Sequence, residues 1–504
     1  MSDLKAVVRD LGGLFIIIAL ASLGTLLVPL YFGEFGSNSS FDGIGPILIT
    51  SAIFFGIGLP FYYLFRKADP ANFKTAMVTA ALGWFFVSLI GSIPLFLVPY
   101  NKVSLVHMDF LSAFFESMAG WTGTGLSLAP SQELLPYTFQ FWRTFIQWVG
   151  GVGVILLTLS ILARPGTGSF VLYKGEGHTE RTHPSIVSTA RTIWWIFLLY
   201  TIIGISALMI IGVVTTDGMS LWESLNHAMT GLATGGFSVT DDSIAGFGTM
   251  SQIVIVILMI AGAIAFAAHY DLLKGKIRNF LSDTQLKALI FLIILGVIAL
   301  TILNLNLYEG NTLFSLKQAG FQFTSAITCT GFSSDVNLAN WSDSAKLILS
   351  FAMIVGGAAG STAGGIKLFR VILLYKGVSW RIKRDISTPR RVFIHKLGHK
   401  KLSKEEALDL INEASIISFM WVLGLAAGAI LLLQFTPPGT NLTDAFFEVC
   451  SAQGNVGLST GITSIHMVPE AKAVLIFNMW IGRLEIIPII VLVKSIFGIK
   501  RNVI

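Results

Sequence analysis

Thr234-Gly235-Gly236-Phe237-Ser238 follows a short apolar run and precedes a membrane-length one. The same order of residue types recurs at Thr124-Gly125-Leu126-Ser127, Thr330-Gly331-Phe332-Ser333 and Val456-Gly457-Leu458-Ser459. Each loop carries a small residue, Thr or Val, then Gly, an apolar residue and Ser. Four such loops between long apolar segments read as one unit used four times.

The chain around them is built for lipid. Of 504 residues, 54% are hydrophobic and 12% charged, and the mean hydropathy is +0.75. Soluble domains carry about 25% charged residues. A water-surrounded core cannot hide this much apolar surface, so the expected class is an all-α polytopic membrane protein. The first apolar run, Leu11–Phe32, is too long for a signal-peptide core and no small-residue cleavage site follows, so it reads as a retained span. Cys329 and Cys450 offer neither a disulfide framework nor a metal spacing and read as buried thiols.

A bilayer crossing takes about 20 apolar residues. Ten stretches qualify: Leu11–Phe32, Ile44–Phe65, Lys74–Val98, Tyr137–Leu162, Ser188–Val214, Met250–Leu272, Gln285–Leu307, Ala345–Leu374, Leu408–Phe435 and Ala471–Phe497. Four shorter segments, Phe110–Trp121, Leu221–Leu232, Leu316–Ile327 and Leu442–Ala452, precede the loops. A twelve-residue helix is about 18 Å long, which suits half-helices buried in protein or lining water. The chain then divides into an N-terminal two-helix extension (1–70) and four units of span, half-helix, loop and span (71–166, 167–280, 281–404 and 405–504).

Charge sets the orientation. Lys5, Arg9, Arg66, Lys67, Lys74, Arg164, Lys174, Arg181, Arg191, Lys274, Lys276, Arg278, Lys287, the Lys376–Lys404 cluster, Lys500 and Arg501 all fall on one side of a ten-span chain. The positive-inside rule makes that side and both termini cytoplasmic, with the half-helices entering from outside. The Lys376–Lys404 cluster reads either as a solvated, topology-setting loop or as a docking surface for a cytoplasmic partner.

Aligned on Gly125, Gly236, Gly331 and Gly457, the units share further positions. Sixteen residues upstream stand the N-cap types Asp109, Ser220, Ser315 and Asn441. Three residues on come Ser112, Glu223, Gln318 and Asp444, which predicts capping boxes in the second and third units. Nine residues before each glycine stand Glu116, His227, Gln322 and Glu448. His227 reads as a hydrogen-bonded core histidine; the two carboxylates read as paired or functional.

A half-helix entering from outside aims its negative C-terminal end at the membrane centre. Beyond it, glycine allows positive φ and close approach to an axis. Thr122-Gly123-Thr124-Gly125, Ala233-Thr234-Gly235-Gly236, Thr328-Cys329-Thr330-Gly331 and Gly454-Asn455-Val456-Gly457 are thus candidate ion-binding segments, their carbonyls replacing a water shell. Neutral oxygen ligands without a carboxylate ring suit a monovalent alkali cation better than Ca²⁺. The alternative, glycine turns that merely let helices pack, does not require N-caps in register with the loops.

These loops, with Trp142-Arg143, Gln147-Trp148-Val149-Gly150-Gly151-Val152-Gly153, His269-Tyr270, Gly360-Ser361-Thr362-Ala363-Gly364-Gly365-Ile366-Lys367 and Gly482-Arg483-Leu484-Glu485, make the chain resemble the Trk/Ktr/HKT superfamily of potassium transporters. The two extra N-terminal spans favour its TrkH-type branch over the eight-span KtrB type. The resemblance implies four units around one pore, K⁺ held at the loop residues as the transported ion, and a homodimer in the lipid of the cell membrane. It also implies a cytosolic TrkA-like nucleotide-binding ring with RCK domains. It implies no covalently bound cofactor and no nucleic-acid partner. Glycine at all four aligned positions resembles the K⁺-permeable pattern; some Na⁺-preferring plant relatives have Ser at the first.

The eighth span carries five glycines, Gly356, Gly357, Gly360, Gly364 and Gly365, in ten residues that also hold Ser361 and Thr362. Each costs a helix about 1 kcal/mol relative to Ala, which predicts a break within the membrane. The resemblance implies that this loop is a gate. Arg483, inside the tenth span, is the expected partner of its freed carbonyls or of Glu485, and an Arg there raises the barrier to cations.

Other classes find no support. The Gly360–Gly365 run is followed by Ile366-Lys367-Leu368, which is not a P-loop. Ser361 lacks a nucleophile elbow, no catalytic dyad is apparent, and no span carries the Arg repeat of a voltage sensor. The reading is K⁺ uptake through a gated central pore. The alternatives are a symporter coupled to H⁺ or Na⁺ through Glu116, His227 and Glu448, and a pore of mixed K⁺/Na⁺ permeability.

Overall fold

The computed structural model describes residues 2–36, 41–153, 186–335, 338–387, 395–398 and 400–497. The fold is helical, with one two-stranded antiparallel hairpin in which His395 pairs with Leu402 and Leu397 with Lys400. The expectation of an all-α chain omitted that hairpin. Arg164, Lys174, Arg181, Arg390, Arg391, Lys500 and Arg501 lie outside the described residues.

Among the described residues, six helices are long and apolar enough to cross a membrane: Asp3–Phe32, Ile44–Leu64, Phe73–Leu97, Val187–Val214, Thr284–Asn304 and Lys404–Phe435. They match six of the ten expected spans. Large apolar side chains such as Ile210, Phe291, Phe419 and Ile430 stand exposed on them, a surface that lipid covers and water does not. The expected fourth span is helical over Tyr137–Val152 and passes out of the described residues after Gly153.

The expected sixth and tenth spans are bent pairs, Thr249–Ala263 with Phe266–Leu273 at 107° and Pro469–Arg483 with Ile487–Ile496 at 109°. In the sixth, the helical ladder is exchanged for a tertiary one. Phe266 N–H donates to Gly360 O at 3.0 Å instead of to Gly262, whose carbonyl accepts from Thr362 N–H at 3.1 Å, while Ala263 O accepts from Ala358 N–H at 2.9 Å. In the tenth, Glu485 and Ile486 take φ of 54° and 72°. Pro488 stands two residues further on, where it has no N–H to continue a ladder and restricts Ile487 before it.

The eighth span is split as its glycines predict. A helix over Asp343–Val355 ends, residues 356–367 are non-helical, and a helix resumes over Leu368–Asp385. The returning limb pairs with the end of the entering helix: Ile366 N–H donates to Ile354 O, Lys367 N–H to Val355 O and Leu368 N–H to Gly357 O, at 2.8–3.1 Å.

The N-terminal extension braces the first unit. Helices Ser2–Gly24 and Ile44–Leu64 cross where Gly12 and Gly58 let the backbones meet; a Cβ on Gly12 would lie 2.5 Å from Tyr62 N. Helix Tyr137–Val152 begins after Pro136, which has no side-chain acceptor. Glu34 supplies the cap, accepting from Tyr137 N–H and Thr138 N–H, both at 2.7 Å. A carboxylate there also complements the helix dipole.

The four short helices are Phe110–Thr122, Leu221–Leu232, Thr312–Ile327 and Leu442–Gln453. Asp109, Ser220 and Asn441 cap the first, second and fourth as expected. Ser220 and Glu223 complete a capping box. The third departs from expectation. It starts a turn earlier, capped by Asn311, whose side chain accepts from Phe314 N–H at 3.1 Å. Gly310, at φ 80°, turns the chain just before it. Ser315 therefore sits inside the helix, donating to Thr301 O at 2.9 Å. Gln318 Oε1 accepts from Ser334 Oγ rather than forming a box. Even with 16 residues, this helix is about 24 Å long, short of a bilayer core.

Candidate functional site

Each short helix ends by the same device. The N–H groups of Thr124, Gly235, Thr330 and Val456 reach back five residues to Ala119, Thr230, Ser325 and Ser451 carbonyls at 2.8–2.9 Å. Such a closure needs a left-handed residue just before it. That residue is Gly123 at φ 71°, Thr234 at 49°, Cys329 at 55° and Asn455 at 54°. Three of the four are not glycine, so the strain is accepted where the sequence offers no relief. Two positions on, Gly125, Gly236, Gly331 and Gly457 are all at positive φ.

These four glycines touch one another's loops in a closed order. A Cβ on Gly125 would lie 2.1 Å from Gly235 O, on Gly236 2.1 Å from Thr330 O, on Gly331 2.1 Å from Val456 O, and on Gly457 2.4 Å from Thr124 O. The circuit runs through units one, two, three and four and back to one. It brings four equivalent carbonyls together and leaves no space for a side chain at any of the glycines. All four line one cavity of about 390 Å³, whose walls also include Ser127, Ser238, Ser333 and Ser459 and the carboxylates Asp241, Asp242 and Asp335.

The aligned polar position is a strut from each short helix to the outgoing limb of its own loop. Glu116 accepts from Ser127 Oγ and Leu128 N–H, both at 2.8 Å. His227 Nε2 lies 2.9 Å from Ser238 Oγ. Gln322 Oε1 accepts from Ser334 N–H at 3.0 Å. Glu448 accepts from Ser459 Oγ, Thr460 N–H and Thr463 Oγ1 at 2.5–2.8 Å. All four residues are fully buried, where an unpaired polar group is costly.

Arg143 and Gln147 had no assigned role in the sequence reading, and Asn455 was read there only as part of an ion-binding segment. Arg143, 1% exposed, pairs with Glu116 at 2.7 Å. It also donates to Gln132 Oε1, Ser127 Oγ and Ser238 O, and stacks 4.1 Å from the Phe237 ring, joining the first loop to the second. Gln147 donates to Gly235 O at 2.7 Å and accepts from Phe237 N–H at 2.9 Å, holding the second loop from both sides. Asn455 donates to Thr124 Oγ1 at 3.0 Å and to Met479 O, joining the fourth loop to the first. A polar residue on an apolar span was the available signal for Arg143 and Gln147.

The loop 356–367 packs against this ring. Gly356, Gly360 and Gly365 have positive φ, while Gly357 and Gly364 are needed for closeness. A Cβ on Gly364 would lie 2.1 Å from Gly454 O. Ala359 N–H donates to Gln285 Oε1 at 2.8 Å, tethering the loop to the next helix pair. Ser361 donates to Ala358 O within the loop. Arg483 reaches the loop as expected, donating to Thr362 O at 3.2 Å. It also donates to the Gly150 and Gly151 carbonyls at 2.5 and 2.9 Å, which the sequence did not suggest. Those carbonyls lie in the last turn of helix Tyr137–Val152, where Gly150 O also accepts from Gly153 N–H at 3.1 Å. Its guanidinium carbon lies 5.0 Å from the Trp84 ring, a favourable cation–π distance. Glu485 forms an ion pair with Arg370.

The arrangement defines a multi-pass helical membrane protein with four capped short helices ending at one shared cavity. The sequence profile of the TrkH family, described as cation transport protein, matches residues 45–497. The chain belongs to that family. It is 34% identical to an uncharacterized cation transporter of Methanocaldococcus jannaschii over 98% of this chain and 96% of that one. It is 28% identical to the Trk system potassium uptake protein TrkH of Escherichia coli over 98% and 99% of the two chains. The crystal structure of the potassium transporter TrkH from Vibrio parahaemolyticus superposes with a TM-score of 0.80 at 25% identity, covering 98% of this chain and 99% of that one. The relatives are transporters, and this chain is a transporter, not an enzyme.

Proposed function

We propose that this protein takes up K⁺ through a central pore whose selective part is the ring of four loops, Thr122–Gly125, Ala233–Gly236, Thr328–Gly331 and Gly454–Gly457. The observation that carries the reading is the closed order of contacts, in which each loop's glycine meets the next loop's carbonyl. Neutral carbonyls held by struts and by left-handed turns form a preorganised cage, which favours an ion willing to exchange its water shell for oxygen. The short helices direct their negative ends toward it. The names of the relatives support K⁺ as the ion.

Ten crossings follow from the apolar stretches and cytoplasmic termini from the charge pattern, counting the six long helices, the two bent pairs, the split eighth span and the fourth span that begins at Tyr137. The loop 356–367, pinned by Arg483 and pressed on Gly454 O, is the gate in this reading. The chain works as a homodimer, and a cytosolic nucleotide-binding ring acts on the basic cytoplasmic face.

The groups first considered for H⁺ or Na⁺ coupling are taken up as struts. Glu116 is ion-paired with Arg143, and Glu448 accepts three hydrogen bonds, which supports passive flow over symport. The ring is also uneven: Gln147 already occupies Gly235 O, and no equivalent clamp is found on Thr124, Thr330 or Val456 among the described contacts. Such asymmetry supports preference for K⁺ rather than strict exclusion of Na⁺. Uptake of Rb⁺ into proteoliposomes, competed by K⁺ and weakly by Na⁺, tests the reading. Absence of alkali-cation flux from protein with the 356–367 loop shortened overturns it.

A further inference from the structure

The four loops do not treat their hydroxyls alike. In the first and third, Thr122 and Thr124, and Thr328 and Thr330, pair with each other at 2.7 and 2.8 Å, so neither pair sends a proton out to the glycine-rich loop. In the fourth, Asn455 reaches Thr124 and Met479. The second loop is different. Thr234, at the left-handed position just before the ring glycines, shares its hydroxyl between Ala233 O of its own loop at 2.8 Å and, outside the loop, Thr362 Oγ1 at 2.9 Å. Thr362 belongs to the glycine-rich loop of the third unit.

Thr362 is itself firmly seated. Its hydroxyl reaches Gly262 O at 2.9 Å and Leu232 O at 3.2 Å, and its N–H donates to Gly262 O. A hydroxyl has one proton. With the Thr362 proton on a carbonyl, its lone pair accepts the Thr234 proton. Both side chains are 2% exposed, so water does not substitute for either partner. When the glycine-rich loop moves, Thr362 moves with it, and Thr234 keeps only Ala233 O of the two groups that orient its hydroxyl.

We propose that Thr362 is a positioning residue that fixes the Thr234 hydroxyl at the ring, so that the placement of the glycine-rich loop sets ion affinity at the second loop as well as passage. The inference rests on the reading of the ring as the ion-binding element and of the 356–367 loop as the gate. It adds that the two are joined by one hydroxyl pair, on one unit of four. Opening the gate then changes what the ring prefers, and an ion held at the ring biases the gate in return, because coupling is reciprocal.

The test uses full-length protein in proteoliposomes, with Rb⁺ as the probe ion and K⁺ and Na⁺ as competitors. Thr362→Val keeps the shape and removes the acceptor. A neutral hydrogen bond is worth about threefold to tenfold in an equilibrium. The expected result is an apparent KM for Rb⁺ raised by about that factor, with a parallel fall in K⁺ over Na⁺ preference. Thr362→Ser restores both. Thr234→Val reproduces the change, and the double variant is no worse than the larger single, as for two ends of one interaction. A Thr362→Val protein that changes maximal flux but not KM or preference overturns the coupling and leaves the gate reading standing. Full additivity of the two single variants also overturns it. If shortening the loop leaves flux unchanged, the gate reading itself fails. Should Thr362→Val not fold, Thr234→Val decides: an unchanged KM for Rb⁺ overturns the proposal.

Discussion

Gly236→Ser probes the ring most sharply. The new Cβ would lie 2.1 Å from Thr330 O, whereas ordinary contact begins near 3.4 Å. Serine at φ 80° also costs about 1–2 kcal/mol in backbone strain. The neighbouring carbonyl must therefore retreat by about 1 Å. A carbonyl end carrying about half a charge, moved from about 3 to about 4 Å from a cation at an effective dielectric of about 20, loses about 0.7 kcal/mol. That is about a threefold loss in ion occupancy from one of four ligands. The assay is Rb⁺ uptake into proteoliposomes with K⁺ or Na⁺ as competitor. Apparent affinity for K⁺ should fall about threefold. Gly236→Ala, which adds the same Cβ without a hydroxyl, should show most of the effect, since the displaced carbonyl and not the new oxygen is the cause. A folded Gly236→Ser protein with unchanged K⁺ affinity refutes the reasoning that Thr330 O serves the ion.

Three other outcomes follow from the same contacts. Arg483→Gln removes a charge that bridges Thr362 O to Gly150 and Gly151 carbonyls; each such bond is worth about 1.5–3 kcal/mol, so basal flux should rise at least tenfold, read as uptake without any cytosolic partner. Glu116→Gln strands Arg143 in a fully buried site and should destabilise the protein by about 3–5 kcal/mol, whereas the double variant Glu116→Met with Arg143→Met should melt closer to the parent. At the start of the first short helix, burial raises the Asp109 carboxyl, but hydrogen bonds from Ser112 and the charge of Lys472 outweigh it and hold the carboxyl below its ordinary 3.8. Its cap is therefore fully present above pH 3.8 and lost as pH falls below that value, so Asp109→Ala should lower thermal stability by about 1 kcal/mol at neutral pH and have progressively less effect below pH 3.8.

The legible part of this molecule is what local sequence controls. The four loops, three of the four N-caps, the strut positions Glu116, His227, Gln322 and Glu448, and the break at Gly356–Gly365 could all be read because each depends on a residue type at a fixed spacing. The third cap was misplaced because Asn311 and Ser315 are both good caps, and Gly310 decided between them. The bend at Ile264-Ala265 left no local mark, for neither residue breaks a helix. Its cause is the exchange of backbone hydrogen bonds with Ala358, Gly360 and Thr362, about a hundred residues away. The left-handed turns at Thr234, Cys329 and Asn455 were hidden for the opposite reason: glycine marks such a position only at Gly123. Gln147 and Asn455 stood in plain view as polar residues on apolar segments, but which loop each would hold depends on how the units close on one another.

In the proposed function the ring passes K⁺ passively. The direct measurement is the reversal potential of current through reconstituted protein with opposed K⁺, Na⁺ and pH gradients. The expected reversal lies close to the K⁺ equilibrium potential, shifted slightly by Na⁺ and not at all by pH. A reversal that follows the proton or Na⁺ gradient at fixed K⁺ would contradict it.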